Sequence, residues 1–222
     1  MTDKTRILTR TTSLVLLELA TLSLLTEPPD TAAPARRPAY HFTSIPTLRK
    51  HVHAHSDVLH AERSTKQYLV FHGVTKKTRD QIDRLRHSIG KHIRATHYAD
   101  RDLLILKLRL SIRHQVPHLT LIQWYLTTAL YRMGVPRYEL VPVGGATFYA
   151  PTSSSSKEDD ESYMPRSRLP LTDSSWPTIV FQTGLSESLR LLRSDARWLL
   201  THSGGEVKVA VSLSTSSSSL GG

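Results

Sequence analysis

The stretch Ile179–Trp198, IVFQTGLSESLRLLRSDARW, decides how the core of this chain is predicted to fold. The run WPTIVFQTG (176–184) is typical of a buried strand, and its apolar part leads to the polar Gln182. Residues 186–205 then show helical periodicity, with Ser186 as a candidate N-cap and Gly204–Gly205 as the stop. The alternating segment 206–214 predicts a last strand, so the unit is a strand–helix–strand crossover with two parallel strands.

The preceding segments extend this unit into a larger α/β fold. Residues 45–63 predict a short helix, 102–111 a strand, 118–134 a helix ending at Gly134, and 138–151 a strand broken at Pro142 and Gly144–Gly145. The order predicts a mixed sheet with helices on both faces. Sites in such sheets lie at the carboxyl ends of the strands, where we expect Gln182.

Composition narrows the classes of partner and compartment. Among the 222 residues, 29 are Lys or Arg and 19 are Asp or Glu, a net charge of +10 that favours polyanionic partners such as nucleic acid. The alternative is a basic surface without a specific partner. The absence of cysteine excludes a disulfide framework and a thiolate-ligated zinc site.

The two ends of the chain predict little folded structure. We expect residues 1–44 to form a disordered leader and Pro/Ala-rich linker, 45–214 a single domain, and 215–222 a Ser/Gly tail. The apolar run 13–25 is too short to span a bilayer and contains Glu18, so no membrane association is expected. The expected location is intracellular, in the nucleus or cytoplasm, with a mitochondrial or secretory leader left open as an alternative.

Residues 75–94 predict an amphipathic helix with one apolar stripe and several basic positions. The stripe holds Ile82, Leu85, Ile89 and Ile93. The candidate phosphate-backbone contacts are Lys76, Lys77, Arg79, Arg84, Arg86 and Lys91. A solvated helix face without a partner is the alternative.

Two short motifs resemble motifs of hydrolases, but each departs from the pattern that it resembles. HQVPH (114–118) resembles the zinc-protease motif HExxH, but Gln115 replaces the general base and Pro117 interrupts the helix. GLSES (184–188) resembles a nucleophile elbow around Ser186 without its second glycine, so a helix cap is the stronger interpretation than a serine hydrolase.

The acidic segment SKEDDESYMP (156–165) offers a different chemistry. Carboxylates on adjacent strands hold divalent cations through oxygen ligands, and a nearby lysine activates a water that attacks a phosphodiester. Lys208, on the strand beside Gln182, is the only lysine after Lys157. An acidic solvated loop with a structural glutamine is the alternative that this spacing leaves open.

Across residues 66–214 the chain resembles a large family of uncharacterised fungal proteins. The resemblance rests on four stretches: HGVTKKTRDQIDRLRHSIGKHIRATHYADRDLLILKL, RMGVPRYELVPVGGATFY, SSSKEDDESYMP and WPTIVFQTGLSESLRLLRSDARWLLTHSGGEVKVAVSLS. The order of elements and the acidic strand are in turn similar to the Uma2-type, PD-(D/E)xK restriction-endonuclease-like superfamily. This second likeness implies a restriction-endonuclease-like fold.

The resemblance implies a metal-dependent nuclease site whose catalysis is impaired. It makes Asp160 the metal-binding aspartate, places Gln182 where a glutamate is usual, and puts Gly184 at the position of the usual catalytic lysine, so Lys208 is the substitute. The implied catalytic residues are Asp160, Gln182 and Lys208, with Asp160 and Gln182 as ligands of Mg²⁺. The alternative function is a non-enzymatic protein-interaction scaffold, with a hydrolase built on Ser186 as a further one.

Overall fold

The structure is a computed structural model that describes residues 15–20, 39–61, 63–90, 92–109, 124–170, 172, 174–185 and 189–215. Contacts along the chain divide it into two compact units, each with its own sheet. The terminal unit comprises Met1–Thr31, Tyr138–Ala146 and Asp159–Gly222, and the central unit comprises Ala32–Arg137 and Thr147–Glu158. Each unit contains a mixed sheet, so the predicted α/β class is confirmed, whereas one sheet was expected and two are found.

The terminal unit is built on a five-stranded mixed sheet in the order β1-β11-β10-β9-β6. The strands are β1 (Val15–Ala20), β6 (Leu140–Pro142), β9 (Glu161–Pro165), β10 (Ile179–Leu185) and β11 (Val209–Thr215). Helix α5 (Leu189–His202) connects β10 to β11, and these two strands pair in parallel as the sequence predicts. The other three pairs of neighbours are antiparallel.

Helix α5 packs on one face of this sheet through an apolar stripe. Leu192, Ala196 and Leu199 follow at helical spacing and are all buried. The hydroxyl of Ser212 on β11 donates to the carbonyl of Leu192 at 3.4 Å, so the side of β11 that bears Ser212 faces the helix. Because side chains alternate along a strand, Ala210 lies on that same face.

The leader predicted over 1–44 contains two strands in the structure. Strand β1 pairs antiparallel with β11 along its full length, from Val15 opposite Thr215 to Ala20 opposite Ala210. Strand β2 (Ala39–His41) pairs in parallel with β3 (Tyr68–His72) of the other sheet. A strand of six residues is long enough to cover a sheet edge, and this covering satisfies backbone groups that β11 would otherwise expose.

The central unit is built on a six-stranded mixed sheet in the order β2-β3-β5-β4-β8-β7. Besides β2, its strands are β3 (Tyr68–His72), β4 (Ile93–Tyr98), β5 (Leu103–Leu108), β7 (Thr147–Tyr149) and β8 (Ser156–Glu158). The predicted strand over 138–151 is thus divided at its glycine pair, with β6 in one sheet and β7 in the other.

Helix α1 (Ile45–His60) confirms the predicted short helix and supplies part of the core of the central unit. Ser44 caps it by accepting a hydrogen bond from the backbone of Thr47. Its Leu48, Val52 and Leu59 are buried in one cluster with side chains of β3, β4 and β5. The helix thereby covers an apolar face of the sheet.

The long helix predicted over 75–94 is wrong in its C-terminal third. Helix α2 (Lys76–Arg84) is followed by the short α3 (Arg86–Ile89), and after Gly90 the chain enters β4, which begins at Ile93. Ile89 and Ile93 are both buried in the core cluster. The apolar spacing suited a helix, but a glycine and a strand bring Ile93 to the same core.

Further along the chain, residues 124–132 form a helix, α4, within the predicted 118–134. Gly134 follows it with a φ of +87°, the left-handed backbone that glycine adopts at helix ends. In the parts of the chain that the structure describes, no helix has the length and apolar character needed to cross a bilayer.

Candidate functional site

The acidic segment is buried, contrary to its interpretation as a solvated loop. Lys157, Glu158, Asp159 and Asp160 expose between 0% and 5% of their surface. Buried ionisable groups require hydrogen-bond or charge partners, since leaving water without them costs several kcal/mol. The segment is therefore part of the folded interior of the units, and each group has specific partners.

Asp160 continues the contact between β9 and β10 with its side chain. One carboxylate oxygen, Oδ2, accepts hydrogen bonds from the backbone N–H of Thr183 at 2.8 Å and from its hydroxyl at 3.2 Å. The backbone N–H of Asp160 donates to Phe181 at 3.3 Å. The carboxylate thus serves as an acceptor for β10 on its β9 side, beyond the last backbone pair of these two strands.

Gln182 lies in the middle of β10 and not at its carboxyl end. It is the fourth of seven strand residues, and three more residues extend the strand to Leu185. Its register partner is Ser212, so its side chain lies on the α5 side of the sheet, where it is 2% exposed. Its Nε2 has no hydrogen-bond partner in the structure, so it makes no such bond to Asp160.

Lys208 is not brought near Gln182. Its side chain is exposed, and its backbone N–H donates to Thr178 at 2.8 Å, at the opposite end of the parallel pair. Four residues of strand separate that level from Gln182, a distance of about 13 Å at 3.3 Å per residue. Lys208 also lies one residue before β11 begins, so it is not on the strand beside Gln182, where it was expected.

The hydroxyl that Asp160 contacts and the side chain of Gln182 lie on opposite faces of β10. Consecutive strand residues point to opposite faces, so Thr183, which Asp160 contacts, lies on the face away from Gln182. Both hydrogen bonds from Thr183 go to Oδ2 of that carboxylate. The assignment of Asp160 and Gln182 as ligands of Mg²⁺ stays a prediction.

Glu158 forms a buried ion pair within the central unit. Both carboxylate oxygens accept from the guanidinium of Arg86, and Oε2 also accepts from the backbone N–H of Ala95 at 3.3 Å. Burial acts to lower the pKa of Arg86, but the hydrogen bond and charge of Glu158 outweigh it and raise that pKa above its usual value. The same guanidinium donates to the carbonyl of Ile93 at 2.6 Å.

Lys157, beside Glu158, is also engaged inside the central unit. It exposes 1% of its surface, and its Nζ donates to the hydroxyl of Thr96 at 2.9 Å. Thr96 is its register partner on β4. This lysine therefore orders a cross-strand contact of the sheet.

Only part of the predicted basic surface is available to a partner. Arg79 is 4% exposed; it donates to the hydroxyl of Tyr149 at 3.1 Å and pairs with Asp83 at 2.5 Å. Burial raises the pKa of Asp83 against the opposing charge of Arg79. Arg79 and Arg86 thus have structural partners, contrary to their assignment as phosphate contacts.

The remaining predicted phosphate contacts are either exposed or outside the described residues. Lys76, Lys77 and Arg84 are exposed. Lys91 lies outside the described residues, as do the HQVPH motif with Gln115 and the candidate nucleophile Ser186.

The sequence-based interpretation missed how the charge divides between the units. The central unit contains 20 Lys and Arg against 7 Asp and Glu, whereas the terminal unit contains 9 against 12. The net charges are therefore +13 and −3. The chain passes between the two units four times, so a count along the sequence does not reveal this division.

Comparison with known proteins adds no assignment. No family model, no curated protein and no solved structure matches the chain.

Proposed function

We propose that this protein is a nucleic-acid-binding domain of nuclease-like ancestry whose catalytic centre is impaired. Binding is assigned to the central unit, and the impaired centre to the restriction-endonuclease-like arrangement around Asp160 and Gln182. The two parts of the proposal rest on different observations, and they are tested separately.

The concentration of positive charge in the central unit carries the proposal. A net charge of +13 within one compact unit attracts a polyanion, because the neutralised phosphates release their condensed counterions. The terminal unit, at −3, offers no such attraction. A generally basic but partnerless protein would not need its charge sorted in this way.

The first turn of α2 is the best placed contact within that unit. Lys76 and Lys77 are exposed at the N-terminus of the helix, where the helix dipole also favours an anion. Arg84 is exposed near the other end of the helix. Thr75 caps the helix, so these lysines project from an ordered element.

Impairment is inferred from the chemistry of the three predicted catalytic residues. Gln182 has no negative charge to hold a cation, Asp160 is engaged by Thr183, and Lys208 lies about 13 Å along the strands from Gln182. A centre that generates a hydroxide nucleophile needs its acids and its base within reach of one water.

Salt-dependent binding tests the nucleic-acid part. We expect affinity for a short duplex to fall steeply with salt, and changing Lys76 and Lys77 to Ala to reduce the logarithmic salt slope by about 2. The matched control changes Arg190 and Arg193 on α5 of the terminal unit to Ala, which removes the same charge and should leave the slope unchanged. No binding at low salt would overturn this part and favour the protein-interaction scaffold.

Cleavage tests the other part. We expect no Mg²⁺- or Mn²⁺-dependent cutting of duplex or single-stranded DNA by the natural chain. Turnover that is lost in Asp160→Asn, with the fold intact by circular dichroism, would overturn the inference of impairment.

A further inference from the structure

Helix α4 exposes three large aromatic rings to solvent. Trp124, Tyr125 and Tyr131 are 59%, 60% and 57% exposed, and none of residues 124–132 is buried. Large exposed aromatic groups on one element usually mark an interaction surface, since leaving them in water forgoes the free energy of burial.

The rings are arranged along the helix and not in one closed cluster. Trp124 and Tyr131 are seven residues apart, so they lie on nearly the same side and about 10 Å from each other along the axis. Tyr125 stands edge-on to Trp124, with ring centroids 5.1 Å apart and an interplanar angle of 76°. The faces of separate rings are therefore available to separate planar groups.

The charge around these rings is positive. The guanidinium of Arg137 lies 5.2 Å from the ring centroid of Tyr131, Arg132 is exposed, and residues 124–137 include no Asp or Glu. The segment belongs to the central unit, with its net charge of +13. Exposed rings interleaved with arginines, without acidic residues, suit a ligand that has planar groups on an anionic backbone.

We propose that α4 is a stacking surface for the unpaired bases of single-stranded nucleic acid. Trp124, Tyr125 and Tyr131 stack on bases, and Arg132 and Arg137 contact phosphates. Every base has a π-face, so the surface is tolerant of sequence, whereas a duplex keeps its bases stacked and offers none. The inference rests on the proposed function and adds the form of nucleic acid that the central unit prefers.

Tryptophan fluorescence gives a direct test. Trp176 and Trp198 are 5% and 7% exposed, so of the three tryptophans only Trp124 is in reach of a base. We expect oligo(dT) or oligo(U) to quench the emission, and an equally charged duplex hairpin to quench it little. Trp124→Phe should abolish the quenching while most of the affinity remains.

Affinity measurements supply the second readout. Changing Trp124 or Tyr131 to Ala should weaken single-strand binding by about 5- to 150-fold, since one stacked base contributes about 1–3 kcal/mol, and leave duplex binding unchanged. Met133→Ala is the matched control, because Met133 is 77% exposed beside the same helix and has no ring; its affinity should not change.

The possible failures are distinguishable. Absence of binding to either form of nucleic acid overturns the proposed function together with this inference. Retained binding, with no quenching and no loss in the Trp124 and Tyr131 variants, overturns this inference alone. Loss of self-association in those variants, with nucleic-acid binding intact, would instead assign α4 to contact with a second copy of the chain.

Discussion

The carboxylate of Asp160 and the peptide N–H of Thr183 are joined by a 2.8 Å hydrogen bond, with the Thr183 hydroxyl 3.2 Å from the same oxygen. The aspartate is 1% exposed and the threonine 6%. The family resemblance implies that Asp160 is a metal ligand. In the structure its carboxylate is a buried hydrogen-bond acceptor for a residue of β10.

This relationship predicts unequal costs for two substitutions. Asp160→Ala leaves a buried N–H without its acceptor and should lower the free energy of unfolding by about 2–3 kcal/mol. Thr183→Val keeps the N–H and removes only the hydroxyl, so about 1 kcal/mol is expected. Urea unfolding of both variants checks the order, and equal, negligible costs would contradict a structural role for the carboxylate.

Substitutions of Gln182 distinguish most clearly between a metal ligand and a structural amide of the core. Gln182→Leu should be neutral or slightly stabilising, because the Nε2 that it removes has no hydrogen-bond partner. Gln182→Glu should destabilise at pH 7, because a buried carboxylate without a partner is penalised.

The pH dependence of the glutamate variant has a definite sign. Burial raises the folded-state pKa of such a carboxyl above its unfolded value of about 4.3, so the penalty is absent below that pH and grows as pH rises. Thermal unfolding between pH 4 and pH 8, with and without Mg²⁺, measures it. Stability restored by Mg²⁺ at neutral pH would contradict the core interpretation and support a metal site.

The ion pair between Arg86 and Glu158 predicts a large loss in the free energy of unfolding when one partner is removed. Their side chains are 27% and 3% exposed. Glu158→Ala leaves the mostly buried guanidinium with the Ile93 carbonyl and, at 3.9 Å, Asp83, and should cost about 3 kcal/mol. The double change Arg86→Met and Glu158→Leu should cost less than Glu158→Ala alone. The exposed pair Arg101–Asp100 is the control, where Asp100→Ala should change the free energy of unfolding by less than about 1 kcal/mol.

The burial of Tyr163 predicts how the stability of the terminal unit depends on pH in the alkaline range. Burial, with a smaller contribution from the charge of Glu161, raises the pKa of Tyr163 to about 12. Because the folded value lies above the ordinary 10.0, its contribution to stability is present below pH 10 and is lost as pH rises towards 12. Tyrosinate absorbance of the natural chain minus that of Tyr163→Phe should titrate near 12 if the fold persists; a midpoint near 10 would contradict the burial.

Local patterns were sufficient for several elements. The run of β10 and the helical spacing of Leu192, Ala196 and Leu199 identify a strand–helix–strand unit, because each signal lies within one element and its neighbour. The helix predicted over 45–63 is likewise found as α1, and the structure shows Ser44 capping it through a backbone N–H three residues away. The sequence alone therefore determined the parallel pair of strands, the short helix α1 and the mixed α/β class.

Tertiary structure decided what surrounds the ionisable residues. Polar composition predicts that 156–160 and the arginines of α2 and α3 face water, yet Glu158, Arg86 and Arg79 are engaged with partners as many as 72 residues away. Sequence periodicity reports which face of an element is apolar, but not which distant group neutralises a buried charge. The predicted catalytic segment is internal because β8 pairs with β4 and because Asp160 accepts hydrogen bonds from Thr183 of β10. Only the tertiary structure shows these two contacts.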